Sequence, residues 1–125
     1  MAEASVARLS PTSGSERRSV RYGFDIPLWV IFHNREQTLI REGRGTELSD
    51  YGICVIAIQE LGVGEKIKIE FTLPYSGEPI RVSSAVRNRN GLRYGCEFIP
   101  EDIGEQRDVA RLCQVLQSFA GEKSH

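Results

Sequence analysis

The sequence predicts a mainly β domain: five or six antiparallel strands closing into a small barrel, followed by one α-helix. Apolar and polar residues alternate along several short segments bounded by Gly, Pro, Asn and Ser, the two-residue period of strands with one buried face. Asn90-Gly91, set between two such segments, is the strongest hairpin signal in the chain and predicts a type I′ turn. Only the last stretch carries apolar residues at helical spacing. Closure removes the exposed edges of such a sheet, and the helix would then cover one opening.

The elements follow in order. Residues 1–15, with Ser10-Pro11-Thr12-Ser13-Gly14-Ser15 at their end, have nothing to bury and read as a disordered leader. Phe24, Ile26, Leu28, Val30 and Phe32 alternate strictly, which makes 24–32 the first strand, with Pro27 marking an edge or a strand start. Trp29 and Ile31 share the second face with Asp25 and His33, so that face is only partly wet. Residues 35–48 are polar, alternate weakly and contain Gly43-Arg44-Gly45. They predict a twisted or bulged second strand returning from a hairpin near Asn34-Arg35.

Gly52 to Ile58 is nearly all apolar, short and β-branched, as in a strand buried on both faces. Gly62-Val63-Gly64 reads as a hairpin turn. Lys66 to Leu73 then alternates with Ile67, Ile69, Phe71 and Leu73 inward, and Pro74-Tyr75-Ser76-Gly77 ends the fourth strand. Ile80, Val82 and Val86 form the inner face of the fifth strand, and Leu92, Tyr94, Cys96 and Phe98 that of the sixth. Pro100 stops the sheet. Asp102 and Glu105 start a helix carrying Val109, Leu112, Cys113, Leu116 and Phe119 on one face, and Gly121 ends it. That helix is expected to pack over the double-faced third strand, leaving 121–125 as a disordered tail.

A chain of 125 residues is one domain with a modest core. Its 40% apolar and 26% charged residues are ordinary for a soluble protein, and no apolar run is long enough to span a bilayer. The net charge of −1 produces no global attraction for a nucleic-acid polymer or a membrane surface. Cys54, Cys96 and Cys113 are odd in number and widely spaced, without zinc-ligand spacing or a secretory signal. Buried free thiols in a reduced, cytoplasmic protein are expected.

Catalytic chemistry has little support. His33 falls on a strand and His125 at the C-terminus, neither beside a Ser or Cys nucleophile nor at metal-ligand spacing. Gly62-x-Gly64 does not lead into a helix, as a phosphate loop would. The carboxylates are scattered over outer faces rather than paired for acid–base work. The sequence therefore assigns no catalytic residue, no metal and no cofactor, and predicts a binding module rather than an enzyme.

Arginine is the better handle, because its planar fork matches phosphate oxygens and base edges. Thirteen of the 16 basic residues are arginine. The spacing Arg-x-x-x-Arg occurs at Arg17/Arg21, Arg89/Arg93 and Arg107/Arg111, and at this arginine content it discriminates little by itself. Arg107/Arg111 reads as a solvated helix face and Arg89/Arg93 as a charged hairpin tip. Arg17/Arg21 differs by context. It directly precedes the first strand and is followed by Glu47-x-Ser49-x-x-Gly52, the turn that opens the third.

That ordered pair of motifs resembles the PilZ domain over about residues 16–120. The likeness includes Pro74 at the end of the fourth strand, Tyr94-Gly95-Cys96-Glu97-Phe98 and the closing helix. It implies a bacterial six-stranded antiparallel β-barrel with a C-terminal α-helix that binds the second messenger cyclic di-GMP. On that pattern Arg17 and Arg21 wrap the ligand and Arg18 adds a phosphate contact. Ser49 hydrogen-bonds the ligand, Gly52 permits close backbone approach, and the residue two before the serine accepts from a guanine edge. The family has Asp or Asn at that last position and this chain has Glu47. The longer side chain keeps the acceptor and the charge, and leaving a buried partner unmet there would cost on the order of 1–3 kcal/mol.

Since both arginines, the serine and the glycine are present, the resemblance implies a receptor that passes its signal to an unidentified protein partner. The alternative is a degenerate PilZ-like adaptor that no longer binds the nucleotide, for which Glu47 is the support. A barrel for single-stranded nucleic acid would want exposed aromatics for stacking, whereas Phe24, Phe32, Phe71, Tyr94 and Phe98 fall on inner faces.

Overall fold

The computed structural model describes residues 21–73 and 77–123. Six strands run in chain order: β1 (Tyr22–Asn34), β2 (Gln37–Leu48), β3 (Gly52–Ile56), β4 (Lys66–Thr72), β5 (Pro79–Asn90) and β6 (Arg93–Phe98). One helix, α1 (Ile103–Lys123), follows them. Every strand pair is antiparallel, and the order β1-β2-β3-β6-β5-β4 closes on itself into a barrel. The predicted leader, Arg17, Arg18 and the Pro74–Ser76 turn lie outside the described residues.

Alternation places the core as the sequence predicts. Leu28, Val30 and Phe32 of β1 are buried, and so are Ile67, Ile69 and Phe71 of β4, with Leu73 just beyond it. Ile80 and Val82 of β5 pair with Phe71 and Ile69 of β4, and Val86 with Cys96 of β6, where Tyr94 and Phe98 are buried too. Tyr94 is fully buried and its hydroxyl is satisfied twice. It donates to Gln59 O (2.9 Å) and accepts from Leu61 N (3.1 Å), fixing the connection between β3 and β4.

Three details differ from the sequence reading. The β5–β6 loop is Gly91-Leu92 rather than Asn90-Gly91: Asn90 pairs with Arg93, and Gly91 takes φ +66° at the first loop position. Leu92 therefore sits half-exposed in the turn rather than on the inner face. Gly62–Gly64 is a turn but not a hairpin, because β3 pairs with β2 and β6 whereas β4 pairs with β1 and β5. Ile58 lies outside β3 and is 88% exposed, so the apolar run continues past its strand.

The helix makes a fourth difference. It packs along β5, not over β3. Leu112 and Leu116 join the main core, and Glu105 turns inward, only 6% exposed. The Glu105 carboxylate accepts from Ser83 N (2.8 Å), Ser83 Oγ (3.0 Å) and Glu101 N (3.1 Å), with Lys68 Nζ at 3.5 Å. Asp108 accepts from Arg81 N, and Arg111 reaches Glu78. Contacts of the helix with β5 run from Ser83 at Glu105 through Arg81 at Asp108 to Pro79 at Arg111. Asp102 caps the helix as predicted, its Oδ1 accepting from Glu105 N at 2.8 Å. The helix runs through Gly121 to Lys123, past its expected stop.

Candidate functional site

The motif residues among those described meet at one end of the barrel, and a bulge in β2 puts them there. Against β3, Gly45 pairs with Val55 and Glu47 with Cys54, so Thr46 is an extra residue without a partner in the ladder. The β1 ladder also shifts here, between Gly23 and Ile26. Inserting one residue reverses the facing of everything beyond it. Gly45 is buried facing in, and without the bulge Glu47 would follow it inward. With the bulge, Leu48 turns into the core and Glu47 turns to the outer wall.

Arg21, immediately before β1, comes to the same place because Gly23 pairs with Glu47. Arg21 Nη1 lies 3.9 Å from Glu47 Oε1, and the two side chains are 38% and 43% exposed. Two of the residues singled out from sequence are thus in contact, as an open ion pair rather than a buried one.

Ser49 and Gly52 bracket the tight turn into β3. Ser49 N donates to Gly52 O (3.0 Å), and Ser49 Oγ accepts from Tyr51 N (3.1 Å) and Gly52 N (3.3 Å). The hydroxyl acts as an acceptor toward its own turn, which leaves its own proton available for donation. Tyr51 O accepts from Phe98 N at 2.8 Å, tying the turn to the end of β6.

Gly52 has a role that its position in the motif does not reveal. A Cβ there would stand 2.1 Å from Cys96 O and 3.2 Å from Glu97 Cα. The close approach that glycine permits is between β3 and β6, so Gly52 shapes the wall on which the site is built.

Across that wall runs a row of paired positions, Glu47–Cys54–Gly95–Asn88, one from each of β2, β3, β6 and β5. The Asn88 amide lies over Gly95, where a Cβ would come within 2.6 Å of Asn88 Oδ1. Cys54 is buried in the middle. Burial raises its thiol pKa, while Thr46 and the guanidinium of Arg93 pull it down and the Glu47 carboxylate pushes it up. No sequence signal marked Arg93, Asn88 or Gly95 as part of this surface. Only the register of β5 and β6 brings them to Glu47.

The PilZ domain family model matches residues 15–114. The chain belongs to the PilZ family. PilZ is a cyclic di-GMP receptor family, and its domains are ligand-binding and adaptor domains rather than enzymes. Solved PilZ structures share the fold. The PilZ domain of CeSA from a cellulose-synthesizing bacterium is 21% identical with a TM-score of 0.61, covering 78% of this chain and 98% of its own. The PilZ domain of Escherichia coli YcgR, solved with c-di-GMP, is 17% identical with a TM-score of 0.58, covering 86% and 96%. The Bacillus subtilis inhibitor of motility MotI/DgrA is 18% identical with a TM-score of 0.57, covering 82% of this chain and 52% of its own. No curated protein matches the chain. Among the described residues of this PilZ domain, no helix is long and apolar enough to cross a membrane.

Proposed function

We propose that this PilZ domain is a cytoplasmic bacterial receptor that binds cyclic di-GMP on the outer wall at β2 and β3 and relays that state to a protein partner. Arg17 and Arg21 grip guanine and phosphate from the N-terminal side, with Arg18 a further phosphate contact. Ser49 donates its hydroxyl proton, Glu47 accepts from a guanine edge, and Gly52 keeps the turn close to β6. The observation that carries the reading is the Arg21–Glu47 contact beside the Ser49–Gly52 turn, which unites both halves of the motif on one surface. Arginine matches this ligand because its fork makes paired hydrogen bonds to guanine O6 and N7 or to phosphate oxygens. YcgR, whose PilZ domain was solved with c-di-GMP, supports the choice of ligand.

A second reading has one observation in its favour. Glu47 already engages Arg21, and a carboxylate held against the ligand's phosphates opposes binding. If that opposition prevails, the domain is an adaptor acting through protein contacts alone.

Calorimetric titration with cyclic di-GMP, with GTP as competitor, separates the two. Saturable binding that Arg21→Ala abolishes establishes the receptor. No heat from a folded protein leaves the adaptor.

A further inference from the structure

We propose that Arg93 is an additional ligand contact, a third arm on the β6 wall that takes the guanine or phosphate farthest from the N-terminal arginines. This rests on the receptor reading above and extends its site across two strands.

The first argument is the pairing of the wall arginines. Arg44 is held by Asp25, Arg81 by Glu70, Arg87 by Glu97 and Arg89 by Glu60. Arg93 has no carboxylate partner among the described residues. Its charge lies near enough to Cys54 to draw that thiol's pKa down, and a thiol is a weak acceptor for a five-donor fork. An exposed arginine whose charge acts on a buried thiol keeps most of its donors for something else.

The second argument is position. Arg93 pairs with Ile56 on β3, two residues along the ladder from the Cys54–Gly95 pair and on the same face, and Cys54 pairs with Glu47. The β6 wall therefore stands two strand spacings from Glu47, about 10 Å. Cyclic di-GMP presents two guanines and two phosphates, so a ligand gripped at Arg21 and Ser49 has a second base and phosphate to place. Arg21 and Arg93 flank Glu47 and Cys54 from opposite sides, and their two positive charges offset the one carboxylate between them. The Asn88 amide over Gly95 adds a neutral donor and acceptor beside Arg93.

The test is titration with cyclic di-GMP of the wild type, Arg93→Ala, Arg93→Gln, Arg21→Ala and the control Arg81→Ala, each shown folded by circular dichroism. Arg93→Gln keeps the stem packing and removes the charge, so it covers the case in which truncation perturbs the wall. Both Arg93 variants are expected to weaken binding by about tenfold or more, with Arg81→Ala within about twofold of wild type. Wild-type affinity in the Arg93 variants, with binding lost in Arg21→Ala, overturns this proposal and leaves the receptor reading standing. Absence of binding by the wild type overturns both.

Discussion

Arg21 and Glu47 meet across the open end of the β1–β2 hairpin, 3.9 Å apart and both substantially solvated. A pair of this length and exposure contributes little to stability, within about 1 kcal/mol. Arg21→Ala should therefore leave the thermal midpoint nearly unchanged while removing cyclic di-GMP binding. A large loss of stability would mean that Arg21 holds the fold rather than the ligand.

Glu47 can be tested by length and by charge. Glu47→Asp withdraws the carboxylate by one methylene and loosens its hold on Arg21, and is expected to tighten cyclic di-GMP binding several-fold. Glu47→Gln keeps the length and removes the repulsion toward phosphate. Comparing the two by titration shows which property limits affinity, and unchanged affinity in both would exclude Glu47 as a brake.

Two glycines on the same wall should respond differently to alanine. At Gly52 the new Cβ would collide with the β6 backbone at Cys96 O, which cannot move without breaking the β3–β6 ladder. Gly52→Ala should cost on the order of 3 kcal/mol in urea unfolding. At Gly95 the obstacle is the exposed side chain of Asn88, which can swing aside, so Gly95→Ala should cost less than about 1 kcal/mol. Equal costs at the two positions would contradict the packing described.

Glu105 fastens α1 to Ser83 of β5 and Lys68 of β4, and also holds Glu101 N just before the helix, while almost fully buried. Removing the carboxylate leaves the buried Ser83 N–H and hydroxyl unmet, so Glu105→Ala should destabilise by about 3 kcal/mol. Chemical denaturation followed by far-ultraviolet circular dichroism would read this. A cost near zero would show that the apolar contacts of Leu112 and Leu116 dock the helix unaided.

Burial pushes the Cys96 thiol up from 9.0 to about 12. The folded state then keeps this proton while the unfolded chain releases it, so the stability linked to Cys96 is fully present below pH 9 and is lost as the pH rises toward 12. In that window the wild type should lose about 1.4 kcal/mol per pH unit more than Cys96→Ala. Parallel pH profiles for the two proteins would rule out this linkage.

The barrel was legible in the sequence wherever one face is dry and the other wet. Lys66–Thr72 is the clearest case, because its alternation leaves no second register. The placement of the helix was not legible, because burial of both faces had two causes. In β3 the outer buried residue is Cys54, which lies close to Arg93 and Thr46. In β5 it is Ser83, which looks polar in sequence and yet lies against Glu105 of α1. Glu105 read as a helix-start residue because its three donors come from Ser83 and Glu101, a pairing that only the tertiary fold creates. The site was half legible. Spacing singled out Glu47, Ser49 and Gly52, but the Thr46 bulge that turns Glu47 outward leaves no mark beyond two nearby glycines. Arg93 read as a hairpin tip because its relation to Glu47 passes through two ladders.

The closure of the barrel is uneven. β1 meets β4 only from Leu28 to Ile31, and β2 meets β3 only from Arg44 to Leu48. Beyond these ladders the hairpin continues as a ribbon of two strands, seated by Phe32 and Leu39 on its inner side. The amides that face across this ribbon bond to the opposite strand alone, so opening there separates only one strand pair and leaves the six-stranded wall intact. In hydrogen exchange the amides around Thr38–Glu42 should therefore trade with solvent through local fraying, far faster than those of β4 and β6, whose exchange waits for the whole barrel to open.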